Sequence, residues 1–339
     1  MIKLDHIERI YFLGIGGIGM SALARYFVAK NFVVAGYDRN RSEICISLEQ
    51  ASCNISYEDE PATIPPPFKD KKNTLVVYTP AIPKNSKLIK HFEDGAYVLC
   101  KRAEILGEIT KNVQCLAIAG THGKTTISSL LSYILIDNLV DCSAFLGGIA
   151  IDIDSNLRMG SADITVVEAD EFDRSFLKLS PNWALISSMD ADHLDVYGTS
   201  KLLEESFQLF SDKVEDGNLI AKEGLKVPSK YSYALDSDTA DFSATNIRVE
   251  NGAYFFDIIY PKGVCKSVTT GLPGIHNVEN ALAAFAMAYF QGLSSNGIVD
   301  SIASFSGVKR RFEYHVKTCL LYTSPSPRDQ RGSRMPSSA

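Results

Sequence analysis

The chain has 339 residues, too many for one ordinary compact core, so two or three domains are expected. Its 34 basic and 40 acidic residues leave a net charge of −6, which argues against general nucleic-acid binding, because neutralising phosphates takes a surplus of Lys and Arg. No apolar stretch nears the ~20 residues of a membrane helix, and the N-terminus lacks a basic flank followed by an apolar run. A cytoplasmic protein with no membrane partner and no signal peptide is expected. The seven cysteines include no C-x-x-C pair and read as small buried side chains in a reducing compartment.

In chain order, residues 9–15 read as a strand, 18–30 as a helix and 32–37 as a second strand. Such β-α-β order implies a parallel sheet with helices on its faces. A Pro-rich stretch over 61–67 precedes a strand at 74–79 and a loop at 80–83. Residues 101–110 read as a helix that leads to a domain boundary near Asn112. The pattern then restarts with an apolar strand at 113–119, a glycine-bracketed loop and a helix from 124 to about 136. Apolar strands recur at 164–167 and 184–186. Residues 217–270 favour short strands, 254–260 among them, and a helix follows from about 277 to 291. Two α/β domains are the natural reading, over 1–111 and 112–308.

Each half opens on a strand, a glycine-rich turn and a helix. The first turn, Gly14-Ile15-Gly16-Gly17-Ile18-Gly19, is a G-x-G-x-x-G in its proper context. Asp38 ends the next strand, where a ribose hydroxyl would be met. NAD or FAD is the default ligand, but a UDP-linked substrate offers the same pyrophosphate and ribose, and the motif alone does not choose. The second turn, Gly120-Thr121-His122-Gly123-Lys124-Thr125-Thr126, carries the stronger signal for ATP. Lys124 can reach the β- and γ-phosphates, backbone N–H groups can cradle them, and Thr125 can ligate Mg²⁺. It departs from the usual G-x-x-x-x-G-K-[ST], because position 118 is Ile.

Two acidic clusters follow, Glu168-Ala169-Asp170-Glu171 at the end of an apolar strand and Asp190-Ala191-Asp192-His193-Leu194-Asp195. Either alone reads as a solvated turn; two of them after a phosphate loop suit Mg²⁺ and a phosphate-bearing substrate. His276-Asn277-Val278-Glu279-Asn280 begins a helix whose amides either read a base edge or cap the turn. Lys309-Arg310-Arg311-Phe312 adds fixed positive charge suited to a transferring phosphate.

Residues 319–339, CLLYTSPSPRDQRGSRMPSSA, have no apolar period and read as a disordered tail. Both ends of the segment resemble one in-frame translation of the adapter of a transposon-based sequencing library. The tail is expected to be a non-native read-through, with no part in the fold. Removing its three arginines and one aspartate leaves the body still more acidic.

GIGGIGMS, AGTHGKTT, EADE, DADHLDVYG, PGIHNVENALAA and GVKRRFE occur in this order between residues 9 and 313. In combination they resemble the Mur ligases, which add amino acids to UDP-N-acetylmuramic acid in bacterial cell-wall synthesis. The likeness is strongest to the members that attach L-alanine with ATP. It implies a Rossmann-like UDP-sugar domain followed by a P-loop-type α/β ATPase domain. It implies that Gly14, Gly16, Gly17 and Gly19 approach the pyrophosphate, with Asp38 near the uridine. Gly120, Thr121, His122, Gly123, Lys124, Thr125 and Thr126 would hold ATP, with Lys124 on its phosphates. Thr125 and Glu168 would hold one Mg²⁺ and His193 a second. Asn277 or Asn280 would meet adenine, and Arg311, or its neighbour Arg310, the γ-phosphate. The family carries a third, C-terminal Rossmann-like domain for the amino acid. The match stops where that domain should begin, at 309–318, so the resemblance implies that residues 1–339 alone do not ligate. Three competitors stand beside this reading, one of them a non-catalytic UDP-sugar binding module. A recycling ligase would attach a whole peptide to the same sugar, and an NAD-dependent oxidoreductase would leave the second loop without a role.

Overall fold

A computed structural model describes residues 6–83, 85–190, 197 and 199–309. Residues 9–101 build a five-stranded sheet from β1 (Arg9–Leu13), β2 (Val33–Tyr37), β3 (Asn54–Ser56), β4 (Thr74–Tyr78) and β5 (Val98–Lys101). All its pairings are parallel, in the order β3-β2-β1-β4-β5. Sheet order reverses at β1, the position that opens a ligand crevice at the carboxyl ends of the strands. The strands are short and apolar because helices cover both faces. These are α1 (Ile18–Ala29), α2 (Glu43–Gln50), α3 (Lys87–Asp94) and α4 (Arg102–Thr110). Ser42 and Ser86 cap α2 and α3 by accepting the N–H groups of Cys45 and Ile89. The Pro-rich stretch forms two single 3₁₀ turns, Pro61–Thr63 and Pro66–Lys69.

The second sheet has ten strands. They are β6 (Gln114–Ala119), β7 (Ser143–Ala150), β8 (Ser155–Arg158), β9 (Ile164–Glu168), β10 (Trp183–Ile186), β11 (Leu219–Lys222), β12 (Tyr231–Leu235), β13 (Phe242–Glu250), β14 (Ala253–Tyr260) and β15 (Gly263–Thr269). Their order is β15-β14-β13-β12-β11-β10-β6-β9-β7-β8, which sets β6 between β10 and β9 in the parallel part. The pairs β7–β8, β13–β14 and β14–β15 are antiparallel. Helices α5 (Lys124–Asp137), α7 (Ile275–Phe290) and α8 (Ser295–Ser304) pack on one face, in a core that includes Leu131, Phe242 and Phe285. The opposite face receives α6 (Ser200–Ser211), whose Phe210 ring stacks on Phe176 at 4.8 Å.

One apolar cluster runs through both units, joining Phe12 and Phe27 of the first to Phe145, Leu157 and Phe176 of the second. Helix α1 lies against β7 and β8, with the Tyr26 and Phe145 rings 5.6 Å apart. Buried Asn156 of β8 donates to the Ile18 carbonyl and to Ser21 Oγ, so a side chain of the second unit holds the first turn of α1. The six described cysteines are free thiols, five of them buried, as their apolar settings imply. No described helix is long and apolar enough to cross a membrane. The expected strand and helix limits hold to within one or two residues, while α2, β3, α3, β5, β7, β8, α6 and α8 add to the elements read from sequence. The expectations for 310–339, the tail included, fall outside the described residues.

The edge hairpin β7–β8 is closed by Asp141. Its carboxylate accepts both the hydroxyl and the N–H of Ser161 at 2.6 Å and pairs with Arg158 at 3.0 Å. The Ser161 bonds, with Arg158 behind them, hold this carboxyl down to about 2. A depressed carboxylate stabilises the fold above its unfolded pKa of about 4, and that contribution fades as pH falls through the folded value. Asp141→Asn should therefore melt roughly 1–3 °C below the parent at pH 6. The gap should close as pH drops from about 4 toward 2. A gap unchanged at the acid end would mean that the Ser161 and Arg158 bonds do not depend on the charge.

Candidate nucleotide and UDP-sugar site

The first glycine loop leaves β1 at its carboxyl end. Gly14 turns through a φ of +84°, and the N–H groups of Gly14 and Ile15 both donate to the Tyr37 carbonyl. Gly17 caps α1 without a side-chain bond, and Gly19 lies in the first turn. Asp38, expected beside a ribose, is already engaged. Its carboxylate accepts the Gly16 N–H at 2.8 Å and the Asn40 N–H at 3.1 Å. It braces the loop, an arrangement that the spacing of G-x-G-x-x-G to a distant acid does not reveal.

The second loop leaves β6 and ends on Gly123, the N-cap of α5. At a φ of +81° a side chain would be strained, and a Cβ there would stand 2.6 Å from Asn280 Oδ1. Asn280 thus rests on the loop, while Asn277 stands behind it, accepting from Asn280 Nδ2 at 3.1 Å and donating to the Pro273 carbonyl at 2.7 Å. The sequence leaves the two asparagines equivalent; in space it is Asn280 that lies against Gly123.

The segment after β10 staples the loop from the other side. Thr121 Oγ1 lies 2.9 Å from Ser188 Oγ and accepts the Asp190 N–H, and the His122 N–H donates to Ser188 Oγ at 2.8 Å. Ser187 Oγ reaches the carbonyls of Ala119 and His122. The exposed His122 ring has Nε2 3.3 Å from Asp190 Oδ2.

Lys124 is buried with its ammonium facing Glu171. Nζ donates to both Glu171 carboxylate oxygens, at 2.7 and 2.9 Å, and to the Gly120 carbonyl at 2.6 Å. All three donors of the ammonium are therefore in use. Burial pushes the Glu171 carboxyl up, against the pull of Lys124. The sequence showed the acidic cluster that holds Glu171 but gave that residue no role of its own. A buried lysine needs a counter-ion, yet which of several nearby acids supplies it depends on the turn after β9.

Glu168 ends β9, and its carboxylate accepts the Gly147 N–H at 2.8 Å. Thr125, in the first turn of α5, is fully buried, and its hydroxyl has no hydrogen-bond partner among the described residues. An orphaned buried hydroxyl is costly unless a ligand completes it. Thr125 and Glu168 supply the hard oxygen donors that Mg²⁺ takes, so these residues fit the cation. Among the described residues no group of three or more His, Cys, Asp or Glu is placed to hold a metal by itself. Thr126 is buried as well. His193, Arg310 and Arg311 fall outside the described residues.

A cavity of about 350 Å³ lies between the two sheets. Gly17 and Gly19 line it from the first loop, Lys124 from the second, and Glu168 and Asp170 from the end of β9. Arg102, which the sequence reading did not single out, also lines it from the start of α4.

The chain is similar to known proteins along most of its length. The profile of the "Mur ligase family, catalytic domain" matches residues 9–114, and that of the "Mur ligase middle domain" matches 118–288. UDP-N-acetylmuramate–L-alanine ligase of Christiangramia forsetii is 50% identical over 319 residues, covering 94% of this chain and 70% of that protein. The enzyme of the same name from Porphyromonas gingivalis is 44% identical over 316 residues, covering 91% and 69%. Among solved structures, UDP-N-acetylmuramate-alanine ligase from Thermotoga maritima superposes with a TM-score of 0.81 at 23% identity, over 92% of this chain and 71% of that one. A UDP-N-acetylmuramate:L-alanyl-gamma-D-glutamyl-meso-diaminopimelate ligase from Neisseria meningitides gives 0.79 at 20%, over 90% and 100%. With two family profiles matched in order and half of 319 aligned residues identical to one relative, the chain belongs to the Mur ligase family.

Proposed function

We propose that this chain serves the ATP-dependent joining of L-alanine to UDP-N-acetylmuramic acid, in the bacterial cytoplasm. The observation that carries the reading is the shared cavity. Gly17 and Gly19 of the first glycine loop and Lys124 of the second line the same space of about 350 Å³, and each loop leaves the carboxyl end of a central parallel strand. A dinucleotide enzyme needs only the first loop.

In this reading the UDP diphosphate sits on the loop 14–19 and the ATP phosphates on 120–126. The lactyl carboxylate attacks the γ-phosphate, ADP leaves, and an acyl phosphate forms. The amine of L-alanine then attacks the acyl carbon, and phosphate leaves as the amide closes. Lys124 and the loop N–H groups offset the charge that builds on the transferring phosphoryl group. Thr125 and Glu168 would hold Mg²⁺, which adds charge stabilisation at the phosphate oxygens. His193 is assigned to a second Mg²⁺ and Arg311 to the γ-phosphate by the family resemblance. Asn280 is the better placed of the two asparagines to face the nucleotide, because it touches Gly123.

Calorimetric titration of the chain with UDP-N-acetylmuramic acid, Mg·ADP and NADH separates this reading from an oxidoreductase. Saturable binding of the first two is expected; tight NADH binding without the UDP sugar would defeat it. Thr125→Val keeps the shape of the side chain and fills no new space. It should weaken Mg·ADP binding about 10-fold or more and remove most of the dependence on Mg²⁺. Nucleotide affinity that keeps its full Mg²⁺ dependence would take Thr125 out of the metal site. Glu171→Gln tests the lysine exchange, since phosphates must displace Glu171 from the ammonium. The variant should bind ADP roughly 3- to 10-fold more tightly, because the competing charge is gone. Weaker binding would instead mean that Glu171 holds Lys124 in its phosphate-binding pose.

A further inference from the structure

Arg102 opens α4 in the first unit, yet its charge is balanced from the second. Nη2 donates to Asp170 Oδ2 at 3.2 Å, across the cavity between the two units. The same guanidinium lies on the first turn of α1. A Cβ added to Gly19 would stand 2.7 Å from Arg102 Nη1, so the glycine is what admits the arginine there. The N–H groups of Ile18, Gly19 and Met20 take no backbone partner among the described residues, and the first turn of α1 holds no acidic side chain. A helix N-terminus and a guanidinium, both positive, therefore share one end of the cavity. Among the described residues, the only carboxylate paired with Arg102 belongs to the turn after β9.

The adjoining residue behaves differently. Lys101 pairs with Asp173 at 2.8 Å, a second bridge between the units that does not involve the glycine loop. That bridge and the shared apolar cluster keep the units registered whatever Arg102 does. The Arg102–Asp170 pair is partly exposed, with side chains at 20% and 36%, so its exchange costs little. A diphosphate offers the guanidinium a stronger, two-pronged partner than one carboxylate oxygen.

We propose that Arg102 is a diphosphate-binding residue for the UDP sugar, parked on Asp170 until the substrate arrives and then exchanging carboxylate for phosphate. The inference rests on the first unit being the UDP-sugar unit and names a side chain that contacts the substrate there. Binding by calorimetry tests it on the full chain with UDP, UMP and ADP. The parent should prefer UDP to UMP. In Arg102→Ala that preference should collapse, with UDP affinity down about 10-fold or more and UMP changed much less. ADP, which binds at the other loop, should be unaffected and reports that the variant is folded. Asp170→Asn removes the competing carboxylate and should tighten UDP about 3-fold. Arg102→Lys, which keeps the charge without the fork, should fall between parent and alanine variant, and carries the test if the alanine variant does not fold. Unchanged UDP affinity in both Arg102 variants overturns the inference, and so does an equal loss of UDP, UMP and ADP, which marks a structural role. A parent chain that binds ADP but neither UDP nor the UDP sugar overturns the reading of the first unit itself.

Discussion

Two positive helix ends face one cavity, and the rest of the site depends on the packing that keeps them there. Parallel sheets place their glycine loops at the carboxyl ends of the central strands, where backbone N–H groups remain free for anions. Alone, each sheet would aim its loop at solvent. The apolar cluster shared by α1, β7, β8 and the 3₁₀ segment at Phe172–Lys178 turns the two loops toward each other. Asn156 refines this contact by holding the first turn of α1 through the Ile18 carbonyl. A phosphate-transfer site needs its two substrates oriented to within a fraction of an ångström, and a dry interface supplies that rigidity better than a linker.

Every described cation on the cavity wall meets a carboxylate. Lys124 faces Glu171, Arg102 faces Asp170 and Lys101 faces Asp173. Without ligands, a cluster of positive charge beside two helix N-termini would repel itself, and the acidic turn after β9 relieves that strain. Binding an anion is then an exchange of partners, with little change in the total number of ion pairs. Such exchange favours discrimination over raw affinity, because only a ligand that satisfies the cations better than the carboxylates can enter. It also reconciles a globally acidic chain with anionic substrates: the local sign at each loop, rather than the sum of charges, decides what approaches.

How much of this was legible in the sequence follows from which physics is local. The units β1–α1–β2 and β6–loop–α5 could be read because apolar runs, glycine turns and helical periods sit next to one another. Strand β7 could not, because Gly147 and Gly148 break its pattern and its partner β8 has only four residues. Helices α2 and α3 are eight residues each, too short for a period to stand out, and depend on serine caps. At the site, the loops and Glu168 were visible, whereas the bracing of Asp38 on Gly16, the pairing of Glu171 with Lys124 and the reach of Arg102 to Gly19 were not. These contacts bridge residues 22 to 83 positions apart, and only the closure of a sheet or the meeting of two units decides them.

The fold narrows the chemistry further than it narrows the substrate. Two structures that share it at TM-scores of 0.81 and 0.79 bear names that differ in the amine they use, alanine in one and a peptide in the other. What both names share is UDP-N-acetylmuramate and a ligase reaction. The preference for L-alanine is therefore argued from the relatives of 44–50% identity that carry that name, and the sheet order has no bearing on it. A phosphate cradle is built from backbone and a few fixed charges, so it survives wide sequence change. Selecting an amine takes side chains that fit one small molecule, and those can vary while every strand stays in place.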